Sequence, residues 1–71
     1  MNLSVTEKLK LILSRSGSTM GDLARATGQS RQNLSNKFAR GNFSEQEIYA
    51  AAAALGCSVE IVFTLPDGSR I

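Results

Sequence analysis

The sequence predicts a mainly α fold: four short helices, followed by a C-terminal β-strand and turn. Three observations carry that prediction. Before Gly56, apolar residues recur at spacings of three and four in four separate stretches. Each stretch opens on a Ser or Thr suited to capping a helix and closes on or near a glycine. After Gly56 the period changes to two, among β-branched and aromatic residues.

The first helix is expected to start near Ser4 or Thr6, with Glu7 in its first turn, and to end at Ser16-Gly17-Ser18. Val5, Leu9, Ile12 and Leu13 form its apolar stripe. Thr19 caps a brief second helix, Met20 to about Thr27, with Asp22 completing a short capping box. Leu23 and Ala24 face inward, Gly28 ends the helix and Gln29 forms the turn. Ser30 caps a third helix that runs to about Ala39 or Arg40. Its inner face is Leu34 and Phe38; its outer face is Arg31, Gln32, Ser35 and Asn36, with Asn33 and Lys37 at the flanks. Gly41-Asn42 breaks the chain. Ser44 and Glu47 make a full capping box for a fourth helix to Leu55, with Ile48, Ala51, Ala52 and Leu55 inward. Its alanine run is a small-residue face that lets the helix sit close to its neighbours. In the final segment Val59, Ile61, Phe63 and Leu65 alternate with Ser58, Glu60, Val62 and Thr64, as in a strand. Pro66-Asp67-Gly68 makes a turn, and Ser69-Arg70-Ile71 begins a short return strand, which would make a hairpin.

Seventy-one residues imply a single domain over 1–71, with a helical bundle over 3–56 and a strand and turn over 57–71. So short a chain buries only roughly 60% of its unfolded surface, so association would help it. Hydrophobic residues make up 42% and charged residues 20%, as in a soluble globular domain. The alanine stretch Ala50–Leu55 is far shorter than the roughly 18 residues a membrane span needs. No basic segment followed by an apolar block marks a signal peptide, so a cytoplasmic location is expected, with no membrane partner. The chain has one cysteine and no histidine, which leaves no internal disulfide and no zinc set. Cys57 reads as a small buried hydrophobe rather than a redox thiol. No cofactor or metal is expected. Nor is an enzyme: no histidine, paired carboxylates or phosphate-cradling loop is recognisable, and nothing places Ser, Lys and Asp together.

The net charge of +2 is unevenly spread. Residues 1–22 carry +1 and residues 44–71 carry −3. Residues 23–43 hold Arg25, Arg31, Lys37 and Arg40 with no acid, a net of +4 suited to a polyanion. Within that block, Ala24, Gly28 and Leu34 match what a helix-turn-helix requires. The first helix needs a small residue at the crossing, the turn a residue tolerant of positive φ, and the second helix an aliphatic residue filling the angle.

The stretch TMGDLARATGQSRQNLSNKFARGN resembles the phage-repressor/Cro family of helix-turn-helix domains, also called the XRE family. The residues that carry the resemblance are Thr19, Leu23-Ala24, Gly28, Ser30, Leu34, Ser35 and Gly41. ALGCSVE matches the usual exit from that family's fourth helix. The resemblance covers residues 5–58 and implies a lambda-repressor-like fold. The chain departs from the pattern in three places. Met20 stands where many members have a Gln that contacts phosphate. Leu13 and Phe38 stand where many have an Arg–Glu pair, an exchange that is commonly neutral or stabilising. A strand and turn replace a fifth helix.

The resemblance implies that Ser30–Lys37 lies in the major groove of double-stranded DNA. Residue chemistry agrees. Arg31 can donate twice to guanine, Gln32 and Asn36 can each pair with adenine, and Ser35 allows close approach and can itself contact a base. Thr19, Ser30, Asn33, Lys37, Arg40 and Asn42 suit phosphate oxygens, which fix register without reading sequence. A lone strand is unstable, and an exposed edge with Ile61 and Phe63 invites another chain. Val59, Ile61, Phe63 and Leu65 are therefore expected to dimerise the protein through an antiparallel strand pair, an arrangement the family resemblance permits. Two recognition helices roughly 34 Å apart would then read a near-palindromic operator. The expected function is that of a nucleoid-associated transcriptional regulator acting as a repressor. The alternatives are an antitoxin that also binds a partner protein, or a protein-interaction module that keeps the fold without DNA binding.

Overall fold

The computed structural model describes residues 2–71. Four helices form in the expected order: α1 (Val5–Ser16), α2 (Met20–Ala26), α3 (Arg31–Arg40) and α4 (Glu45–Ala54). Local chemistry sets where each begins. The hydroxyls of Ser4, Thr19, Ser30 and Ser44 accept from the backbone N–H three residues on, at 3.1–3.2 Å. Each such cap contributes about 1 kcal/mol. In α1, α2 and α4 the bond is reciprocated. Glu7, Asp22 and Glu47 accept from the cap's own N–H at 2.8–3.0 Å. In α3 the equivalent residue is Asn33, whose side chain turns to Gln29 instead.

The core is one cluster drawn from all four helices: Leu9 and Leu13, Leu23 and Ala24, Leu34 and Phe38, and Ala51. Ala52 is buried too, and among the described residues no polar or charged one is. Phe43, just before α4, meets the Phe38 ring edge-on with centroids 5.1 Å apart. α2 packs on α3 and α4, and α1 packs on α4. Small side chains at Ala51 and Ala52 allow that approach, as the alanine run suggested. Leu13 and Phe38 both lie inside the cluster, so an apolar pair occupies their positions.

The α1 stripe is narrower than its periodicity suggested. Leu9 and Leu13 are buried, Ile12 is half-buried and Val5 is exposed. Spacing identifies a face, but the neighbouring helices decide how much of it is covered. Val5 and Ile12 instead border an apolar groove of about 450 Å³ between α1, α4 and the tail, with Ile48, Cys57, Val59 and Ile61. Cys57 is accordingly half-buried rather than enclosed.

The expected C-terminal strand and hairpin do not form. Ser58–Phe63 makes no ladder, and the segment contains one isolated antiparallel bridge, Thr64 to Arg70. Around it, Phe63 and Ile71 exchange both backbone hydrogen bonds, at 2.7 and 2.9 Å, and Leu65 N–H donates to Ser69. Pro66-Asp67-Gly68 is a turn, as expected, closed by Gly68 N–H on the Leu65 carbonyl and by Asp67 Oδ1 accepting from Ser69. The backbone pairing of the segment is confined to Phe63–Ile71 and Leu65–Ser69, and Ser58–Ile61 takes no part in it. Alternation specifies two faces, but a strand also needs a partner. Among the described residues no helix is long and apolar enough to cross a membrane.

Candidate nucleic-acid interface

The α2–α3 connection fixes how α3 is presented. Gly28 has φ +70°, and a Cβ there would meet nothing within 4 Å, so the residue answers a conformational demand and not a lack of space. A chain of side-chain hydrogen bonds crosses the same turn. Asn33 Nδ2 donates to Gln29 Oε1 at 3.0 Å, and Gln29 Nε2 donates to Thr27 Oγ1 at 2.9 Å. Thr27 Oγ1 in turn donates to the Leu23 carbonyl at 2.8 Å. The first turn of α3 is thereby tied to the last turn of α2. Gln29 is a structural member of this chain, a role that its reading as a simple turn residue missed.

The candidate residues on α3 separate into three groups around the Leu34–Phe38 core stripe. Arg31 and the half-buried Ser35 lie one turn apart, on the flank toward the start of α2. A Cβ on Gly21 would lie 3.8 Å from Arg31 Cδ and 3.7 Å from Thr19 Oγ1, so Thr19 and the Arg31 stem adjoin the same spot. Gln32, Asn36 and Arg40 form the exposed outer face. There Gln32 Nε2 donates to Asn36 Oδ1 at 3.1 Å. Asn33 and Lys37 make the opposite flank, where a shallow groove is bordered by Thr27, Gln29, Gln46 and Glu47. Ser30 Oγ accepts as the α3 cap, which leaves its O–H proton to donate, and Asn42 is exposed beyond the helix.

Tertiary packing redistributes the charge of the basic block. Lys37, expected to face phosphate, forms an ion pair with Glu47 of α4, and both side chains are 27% exposed. Glu47 was legible as a cap but not as the partner of a lysine ten residues before it. Arg25 lies 3.6 Å from Asp22 in a largely exposed pair. Arg31 and Arg40 make no ion pair among the described residues. The Asp22 carboxyl is held below its ordinary pKa, chiefly by the Thr19 backbone N–H. Glu7 is lowered in the same way by the Ser4 N–H, and Asp67 by the Ser69 hydroxyl. α3 alone has no acid in its first turn. Its amino-terminal dipole is therefore not offset locally, which favours an approaching anion.

The four tail residues expected to dimerise the protein are not gathered on one strand face. Val59 and Ile61 border the apolar groove, Leu65 is half-buried beside the turn, and Phe63 stands 71% exposed.

No family model, no curated protein and no solved structure matches this chain.

Proposed function

We propose that this protein is a sequence-specific double-stranded DNA-binding transcriptional regulator, acting as a repressor, with α3 as its major-groove reader. In this reading α2, the turn at 27–30 and α3 constitute a helix-turn-helix of the phage-repressor/Cro type. The observation that carries it is the acid-free outer surface of α3. An exposed pair of amides, Gln32 and Asn36, is accompanied by two arginines, Arg31 and Arg40, with no carboxylate partner among the described residues. Amides and guanidinium are the groups that make two-point contacts with adenine and guanine edges. Arg40, Thr19, Ser30, Asn33 and Asn42 supply phosphate contacts around them. Selection from a random double-stranded library at physiological salt tests this. Enrichment of a defined site supports it; weak binding that vanishes with rising salt, without enrichment, refutes it.

The same reading includes a homodimer built on the tail. Phe63 and Ile71 are 71% and 78% exposed, and Ile61 and Val62 are also exposed, an apolar surface that a second copy would cover. A strand absent from the single chain would form only on pairing. Sedimentation at micromolar concentration should give twice the 7.6 kDa chain mass, and a two-fold symmetric selected site should accompany it. A monomeric mass refutes the dimer. That exposed tail also favours a second reading, an antitoxin-type or other interaction module whose tail binds a partner protein. Co-purification of one defined small protein, together with failure to select any DNA site, would favour it.

A further inference from the structure

We propose that Glu47 is a specificity-determining residue: it withholds Lys37 from the DNA backbone and so lowers affinity for DNA of any sequence. The proposal rests on the DNA-binding reading. Its ground is the double engagement of one carboxylate. Glu47 Oε1 accepts from the Ser44 N–H at 2.8 Å as part of the α4 cap, while Oε2 pairs with the Lys37 ammonium. An ordinary exposed ion pair is weak, partly because two flexible side chains must be ordered to make it. Here the cap has already ordered the acid, and the lysine stem is half-buried against the groove.

The effect on binding falls on one class of contact. Lysine–phosphate contacts are blind to sequence and release counterions, whereas amide and guanidinium contacts to base edges are not blind. Silencing Lys37 thus lowers the non-specific background and leaves Arg31, Gln32 and Asn36 untouched. The local charge of α3 is then carried by Arg31 and Arg40.

Glu47→Gln separates the two roles, because glutamine at this position keeps the capping box and loses the charge. The measurement is the Kd for a random-sequence duplex, by fluorescence anisotropy, between 50 and 200 mM salt. E47Q should bind more tightly than wild type, with a log–log salt slope steeper by about 0.9, the increment of one freed phosphate contact. Its advantage should grow about 3.5-fold between 200 and 50 mM. K37M alone should leave the wild-type slope unchanged, and E47Q/K37M should return to it. An E47Q slope equal to that of wild type, or a slope reduced by K37M alone, overturns the proposal while the DNA reading stands. A double variant that keeps the E47Q gain also overturns it, since loss of a negative charge would then suffice. If E47Q does not fold, K37M decides by the same criterion. Absence of duplex binding by wild type at 50 mM overturns the DNA reading and this proposal with it.

Discussion

Gln32 Nε2 donates to Asn36 Oδ1 at 3.1 Å across one turn of α3, so the two exposed amides orient each other before any ligand arrives. The bond leaves Gln32 Oε1, one Gln32 N–H and both Asn36 N–H groups free for base edges. Gln32→Ala should cost on the order of 1–3 kcal/mol at the preferred site and broaden the sequence preference there. Because Asn36 loses its orienting partner, Q32A and N36A should be non-additive. Competition binding on single-base variants of the selected site measures both effects. An unchanged preference in Q32A would remove Gln32 from the reading surface.

The turn between α2 and α3 gives a stability prediction. Gly28 sits at φ +70° with open space around a would-be Cβ. Gly28→Ala should therefore destabilise by about 1–2 kcal/mol through backbone strain alone, without a clash. Urea unfolding should show a lower midpoint at an unchanged m-value. A midpoint equal to that of wild type would contradict the strain argument.

Gly21 behaves in the opposite way, since its backbone is helical. A Cβ there would sit in ordinary contact, 3.8 Å from Arg31 Cδ and 3.7 Å from Thr19 Oγ1. Gly21→Ala should stabilise α2 by about 0.5–1 kcal/mol, raising Tm by a few degrees. Arg31 should keep its place, so DNA affinity should change little. A lower Tm would mean that α2 needs glycine for a reason other than backbone freedom.

Stability should fall in acid. Glu7 and Asp22 have lowered pKa values because cap N–H groups bond their ionised forms. The unfolded chain therefore binds protons first. Their contribution is complete above the ordinary carboxylate range, declines as pH falls through it, and is gone below the folded-state values. Thermal melts from pH 7 to pH 2 should show this decline in wild type and a shallower one in Glu7→Gln/Asp22→Asn. Parallel profiles for the two proteins would show that the caps are not the source.

The helices were legible because their signals are local. Ser4, Thr19, Ser30 and Ser44 act on groups three residues away, and Leu34 and Phe38 are one turn apart. Such relationships can be read without knowing the fold. At Val5 and Ile12 that reading faltered, because burial depends on which neighbour lies across the gap. It failed at Ser58–Leu65, where alternation promised a strand but the fold pairs only the end of the segment, in one isolated bridge from Thr64 to Arg70. Of the candidate site, the outer face of α3 was visible in the spacing of Gln32 and Asn36. The fate of Lys37 was not.

By itself, then, the sequence determined where each helix starts and stops, which residues of α2 and α3 meet in the core, and which polar groups α3 turns outward. The caps and the inward and outward faces follow from hydrogen bonds and periodicities that span four residues or fewer, and the α2–α3 meeting from the helix-turn-helix spacing of Ala24, Gly28 and Leu34. Only the tertiary structure decided which charges remain free. The four cations of the basic block look equivalent along the chain. Arg25 has Asp22 three residues before it on α2, a local pair, but folding brings Glu47 to Lys37 and lets Arg31 and Arg40 stand without a carboxylate partner among the described residues. Charge pairing acts through space, and the distance that matters is set by how α4 packs, which no local pattern encodes.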